Sequence, residues 1–591
     1  MALRKNRNSK KNLAHKRKAT KRKANNKPNN QKVVWPYRGI EKEWLEKAEM
    51  KLFKPTLETV KLLSKGNYQT KLEYLNIENN LFEEIEVQLK IYNEKNITGI
   101  PFSIKIPEVL HIGGVNEKES YGLDSEIHIK NDKSEYVIPP KSISNFRTRY
   151  PAKPQIIKGL IEHIKTYEEI EDLAFHRFIV PVNDNHVIFP TDIISCIDNH
   201  LKFDTESWNR QPTIFGIPFM STNEMFVSLE IKGHTFHFYG LRPLKSLIID
   251  STSRLNRSEF QKITQVIRLC FAFLIGKFYK DETFYLSSSH SNFSVIENLE
   301  YIVEEKSIIS NNQLINPQSV DEFNRFGVTT DKKEQRNIPR YFPATLFSYF
   351  CEKVLESNEL LRCIELLITA SGLKNPVQQG ALYSVSLETI TELIKDKHIA
   401  KLKPIKDENV NLEFKQQMLN ILESFDGKID EQGMKILHSK IENMNSPTNQ
   451  DKLMKPFELM GITLSDGEKK VLNSRNDYLH GNDPKKIGDI VELEINALNL
   501  HSLLGKLILK YIGYSGYFIH LPNSYLMNYS TDSLKEIQKI DFEAATNFLK
   551  EHESTELSKT KAFKELKKSL GTIVHTVQML ETVYSDTIRI I

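Results

Sequence analysis

The 591-residue sequence has no apolar run approaching the roughly 18 residues a membrane-spanning helix needs; the nearest, Leu269–Gly276, is short and follows Arg268. A transmembrane protein is not expected. Cysteine is scarce, and Cys196, Cys270, Cys351 and Cys363 form no C-x-x-C pair. Disulfide scaffolds and thiolate zinc sites are therefore disfavoured; three of the four cysteines sit in apolar helical sequence, as buried free thiols do. There is no P-loop and no Rossmann-type glycine fingerprint, so nucleotide hydrolysis has no support. No hydrophobic stretch follows the N-terminal charges as it would in a secretory signal, and a cytoplasmic location is expected.

Acidic residues are missing from Met1 to Lys32, which hold 13 Lys/Arg. The whole chain carries a net charge of +5, so the remainder is at −8 and the basic character belongs to this leader. With almost no large apolar side chains, residues 1–32 cannot offset the entropy of ordering and are expected to form a disordered basic tail. Lys16, Arg17, Lys18, Lys21, Arg22 and Lys23 are its candidate contacts to a nucleic-acid backbone, which such a stretch attracts without reading sequence. A solubilising leader explains the same residues. Trp35-Pro36-Tyr37-Arg38 and Trp44 have the chemistry to stack bases beside the tail, or to anchor it on the folded body.

From about residue 33 to 310 the apolar period is mostly two. Ile85 to Ile91 alternates, as does Phe226 to Ile231, and the pair Phe226 to Ile231 and Thr235 to Tyr239 reads as a hairpin across Lys232-Gly233-His234. One helix is expected from Ser258 to Tyr279, where Ile263, Val266, Ile267, Cys270, Phe271, Leu274 and Phe278 recur at helical spacing, with a strand over Thr283 to Leu286. This is a β-rich α+β region. A polar linker is expected at 311–340, and beyond it, over 341–591, the period becomes 3.6. Helices are expected from Pro343 to Gly372, from Pro376, and over Leu412 to Leu422, Glu431 to Asn443, Gly467 to His480 and Ile487 to Ile512, with one or two more between Ser533 and Val583. The fold class is α+β, a β-rich front joined to a helical bundle.

Chemistry concentrates in one segment of the bundle. Ser465-Asp466-Gly467-Glu468 is a capping-box sequence that opens a helix, and Gly481-Asn482-Asp483-Pro484 closes it. The helix delivers Arg475, Asn476 and His480 to its last turns, Asn476 and His480 one turn apart on a shared face and Arg475 beside it. A permanently charged planar guanidinium suits a phosphodiester, and an imidazole suits proton transfer near neutral pH. Glu388, in the middle of the helix that starts near Pro376, is a candidate partner for Arg475, or an ordinary surface glutamate. A structural arginine paired across helices, with His480 capping a helix C-terminus, accounts for the same residues.

Arg475-Asn476-Asp477-Tyr478-Leu479-His480-Gly481 resembles the R-[polar]-x-x-x-H signature of HEPN domains. The long helix after it, ending in Tyr511-Ile512-Gly513-Tyr514, is also similar to the one that follows this motif in those bundles. The resemblance covers roughly the C-terminal 250 residues; the architecture as a whole is similar to ApeA-type anti-phage proteins. It implies a metal-independent endoribonuclease of a bacterial anti-phage, abortive-infection or toxin-type system, with no cofactor. RNA, tRNA or another structured RNA among the candidates, would be cut by its own 2′-hydroxyl, leaving a 2′,3′-cyclic phosphate. His480 would act as general acid/base, Arg475 would stabilise phosphate charge, and Asn476 would orient the histidine or the phosphate. Asp477, Tyr478 and Glu388 would support them. A homodimer through the helical bundle, bringing two motifs to one cleft, and a phage-derived trigger are further expectations; the β-rich region, a large part with no catalytic constellation beside one that has it, is expected to sense or restrain. The alternatives are a non-catalytic HEPN-like RNA- or protein-binding module and a metal-dependent nuclease. The latter rests on Glu230-Ile231-Lys232, an E-x-K that a strand would aim from one face as PD-(D/E)xK enzymes do, with Asp198 or Asp204 as upstream acid. His234 and His237 would point to opposite faces of a strand and make a poor metal pair.

Overall fold

The structure, a computed structural model, describes residues 53–63, 65–76, 81–92, 97–106, 126–148, 155–167, 173–182, 193–197, 200–204, 226–241, 246–315, 342–479, 490–522 and 588–590. The basic tail, Trp35, Trp44, Asp198, His480 and the helices expected between Ser533 and Val583 lie outside these residues.

Fourteen of the described strands form one sheet in which every pairing is antiparallel. From one edge it runs through Phe226–Ile231, His234–Leu241, Ser246–Ser251, Phe175–Pro181, Glu282–Ser288 and Asn298–Val303. It continues through His163–Thr166, Glu135–Ile138, Ile127–Lys130, Gly66–Asn76, Leu81–Ile91, Ile100–Ile106 and Gln155–Ile161 to Ile143–Thr148. The expected edge hairpin is present, but Ile231 pairs with His234, so its loop is the two residues Lys232 and Gly233. Both have positive φ, 51° and 77°, which matches the twist of the flanking strands.

Helix α1 (Lys54–Leu62) packs on one half of the sheet and α2 (Arg257–Ile275) on the other. Asn256 caps α2 by accepting from the Glu259 N–H at 2.8 Å. The helix ends four residues before the expected Tyr279. Gly276 takes a left-handed φ of 71°, and a Cβ there would lie 2.8 Å from the Asn312 carbonyl carbon, so the chain turns where only glycine fits. The apolar spacing continues past it because Phe278 and Tyr279 are buried in a short strand and the segment after it. Leu314 and Ile315, expected in the polar linker, are also buried, with the Leu314 N–H on the Leu274 carbonyl.

The helical half comprises α3 (Ala344–Glu356), α4 (Asn358–Ser371), α5 (Pro376–Lys397), α6 (Ile399–Leu402), α7 (Glu408–Glu423), α8 (Glu431–Glu442), α9 (Asn449–Leu459), α10 (Asp466–Leu479) and α11 (Ile490–Tyr511). Helix α5 is the hub, packed by α4, α9, α10 and α11. Its core is continuous with that of α2 and the adjoining strands. Phe273 of α2 meets Phe350 of α3 edge-on at 5.4 Å, and Ser348 and Glu352 of α3 accept from the backbone of the edge hairpin at Glu230 and Lys232.

Candidate functional site

Helix α10 begins as expected. The Ser465 hydroxyl accepts from the Glu468 N–H at 3.2 Å, and Glu468 Oε2 accepts from the Ser465 N–H at 2.7 Å. Its register places Arg475 against α5, where Arg475 Nε lies 3.3 Å from Glu388 Oε1 and Nη1 donates to the Leu472 carbonyl at 3.3 Å. The two side chains are unequally covered: Arg475 is 14% exposed and Glu388 46%. Glu388 is thus both a surface residue and the partner of Arg475.

One turn on, Tyr478 is buried and its ring lies over Gly380 of α5, where a Cβ would come within 2.6 Å. The missing side chain lets α10 approach α5 at Tyr478, one turn from Arg475 and about two turns of α5 from Glu388. Asn476 and Asp477 occupy the same turn of α10; their side chains, like His480, lie outside what the structure describes.

Arg475 and Glu388 form part of the wall of an open cavity of about 570 Å³, which Asn449, Gln450, Lys452 and Asn473 also line. Thr391, Glu392 and the buried Leu453 complete it. Two carboxylates and two cations face the space, so its formal charge balances. Glu392 is paired with Lys395, whereas Lys452 has no ion-pair partner among the described residues. Helix α9, which supplies four of these residues, was not among the expected helices. Pro456 interrupts its pattern and its apolar residues are few, but the Thr448-x-x-Asp451 cap, with the Asp451 N–H on Thr448 Oγ1 at 3.1 Å, is a start signal that could have found it.

The E-x-K does not lie within one strand as expected: Lys232 has left the strand for the hairpin turn, and Glu230 accepts from the Thr235 hydroxyl at 2.6 Å. His234 is engaged with Ser253 Oγ at 3.1 Å, and burial pushes the His237 pKa down. Among the described residues no group of three or more potential metal ligands occurs.

A polar centre in the sheet gave no motif. Arg177, fully buried, donates to Asp250 through Nε at 2.7 Å and Nη2 at 2.8 Å and to Thr56 of α1 through Nη1 at 2.9 Å. The Tyr239 hydroxyl donates to Asp250 at 2.6 Å, and the Phe53 and Phe293 rings lie 4.6 and 4.1 Å from the guanidinium carbon. A charge inside each apolar strand run, FHRFIV and SLIID, was the available signal. Comparison with protein-family models, with curated proteins and with solved structures gave no match.

Proposed function

We propose that the protein is a metal-independent endoribonuclease of the HEPN type, working as a homodimer in a bacterial anti-phage or toxin-type system. The observation that carries this reading is Arg475: a guanidinium held at the wall of a polar cavity, with one carboxylate and one carbonyl as partners. In the proposed reaction the ribose 2′-oxygen bonds to phosphorus as the P–O5′ bond breaks. His480 takes the 2′-hydroxyl proton, and a proton is delivered to the leaving 5′-oxygen. Charge building on the non-bridging oxygens is held by Arg475, and Asn476 orients the histidine or the phosphate. Since Glu388 already occupies part of the guanidinium, phosphate must compete with it, which also supports a second reading: a module that binds RNA or protein without cutting.

Purified full-length protein incubated with RNA in EDTA tests both. Cleavage to 2′,3′-cyclic phosphate ends, reduced at least about 100-fold in Arg475→Ala and in His480→Ala, is the expected result. RNA binding without cleavage favours the second reading, and equal cleavage by wild type and both variants removes the assignment. Activity abolished by EDTA would return attention to a metal-dependent mechanism.

A further inference from the structure

We infer that the cavity beside Arg475 is a nucleobase pocket: it seats one unpaired base carrying an exocyclic amino group, with the adjoining phosphate on Arg475. The inference rests on the nuclease or RNA-binding reading of Arg475 and adds what is recognised. A phosphate alone needs little of the 570 Å³, which falls in the range of small-ligand sites, about 300–1,000 Å³. A polyphosphate would meet Glu388 and Glu392 in the same space, whereas an uncharged base with a single phosphate meets a balanced lining.

The donors and acceptors suit a base edge. Asn449, Gln450 and Asn473 each offer an amide with both functions. Asn449 and Asn473 make no side-chain hydrogen bond to other described residues, and Gln450 has only a 3.8 Å contact with Met454 Sδ. Side-chain amides of this kind pair with bases in fixed donor–acceptor patterns. Glu388 spends Oε1 on Arg475 and keeps Oε2, an acceptor matched by the amino group of adenine, cytosine or guanine and by nothing at that place on uracil. The described lining contains no aromatic ring, so hydrogen bonding rather than sequence-tolerant stacking decides affinity, and Leu453 supplies an apolar floor. A base still paired in a helix cannot present its Watson–Crick edge here, so the pocket selects single-stranded or looped RNA.

The test uses the full chain and fluorescein-labelled 2′-O-methyl oligonucleotides of A, C and U, which lack the nucleophile and report binding whether or not the protein cuts. Fluorescence anisotropy in EDTA is expected to show the A or the C oligomer bound about 10-fold or more tighter than U. In Glu388→Ala/Asn449→Ala/Gln450→Ala/Asn473→Ala, all exposed positions, that preference should shrink to within about 2-fold with residual affinity retained on Arg475. Arg475→Ala should instead weaken all three oligomers together. Equal wild-type affinity for the three, or a preference that survives the fourfold substitution, overturns the pocket. Preserved preference in a protein that cleaves no RNA overturns the nuclease and leaves the pocket standing.

Discussion

Two regions of the molecule treat arginine and histidine in opposite ways. In the sheet, Arg177 is saturated by Asp250 and Thr56 between two aromatic rings, and buried His176 has both ring nitrogens engaged, with Ser287 Oγ at 2.9 Å and the Leu255 carbonyl at 2.8 Å. In the helical half Arg475 has one carboxylate oxygen at 3.3 Å, and His501 of α11, fully buried edge-on to Tyr383, has no hydrogen-bond partner at either nitrogen among the described residues. A saturated buried group holds a fold together; one with unused capacity is open to something else. The Arg177–Asp250 centre is architecture of the sheet, whereas Arg475 at the cavity wall keeps donors that no described residue occupies.

The contrast breaks first, if it is wrong, at Asp250. Asp250→Ala strands the Arg177 charge in the core and should cost about 3–5 kcal/mol in denaturant unfolding, against less than about 1 kcal/mol for Arg475→Ala. Comparable losses in the two variants would erase the distinction.

Acid sharpens it next. Burial lowers the pKa of His176 to about 4 and that of His501 to about 3, both from 6.5. Between those values and 6.5 the unfolded chain binds a proton that the folded chain refuses, so stability is complete above pH 6.5 and falls with acidification. The loss is on the order of 1.4 kcal/mol per pH unit for each histidine at most. Replacing His501 by Leu should flatten the acid limb of the Tm profile and leave Tm at pH 7.5 unchanged or higher, because two unpaired nitrogens are removed. A large fall in Tm at pH 7.5 would mean that His501 has a partner after all.

Gly380→Ala, which sets a methyl group against the Tyr478 ring, should destabilise by about 1–3 kcal/mol and displace Arg475 relative to Glu388. A cleavage loss exceeding the stability loss would mark the close approach as serving the site. The smallest effect belongs to Glu388→Gln: stability within about 0.5 kcal/mol of wild type, tighter binding of the U oligomer as the guanidinium loses its competitor, and a smaller preference for A or C as the carboxylate acceptor is lost. Unchanged or weaker binding of the U oligomer would assign Glu388 to orienting Arg475.

What could be read from residues alone was local. The edge hairpin, the cap of α10 and the periodicity of α2 all follow from neighbours in sequence. The end of α2 did not, because Gly276 is fixed by the approach of Asn312, and the burial of Leu314 and Ile315 depends on a core that forms only when both halves meet. At the site the same boundary applies. Arg475 was readable from its helix, and Glu388 from its place in the middle of another. The cavity was not, since Asn449, Gln450 and Lys452 arrive on a helix whose Pro456 hid it.

The apolar seam in which Phe273 meets Phe350 bears on how such a protein could be dissected. Expressing residues 341–591 alone would strip α3 of its cover and leave a greasy face in water, and the sheet fragment would suffer the reciprocal loss. Separating the two halves would cost the helical one the surface on which it is folded, so a change of state in this chain has to be a rearrangement inside an undivided body.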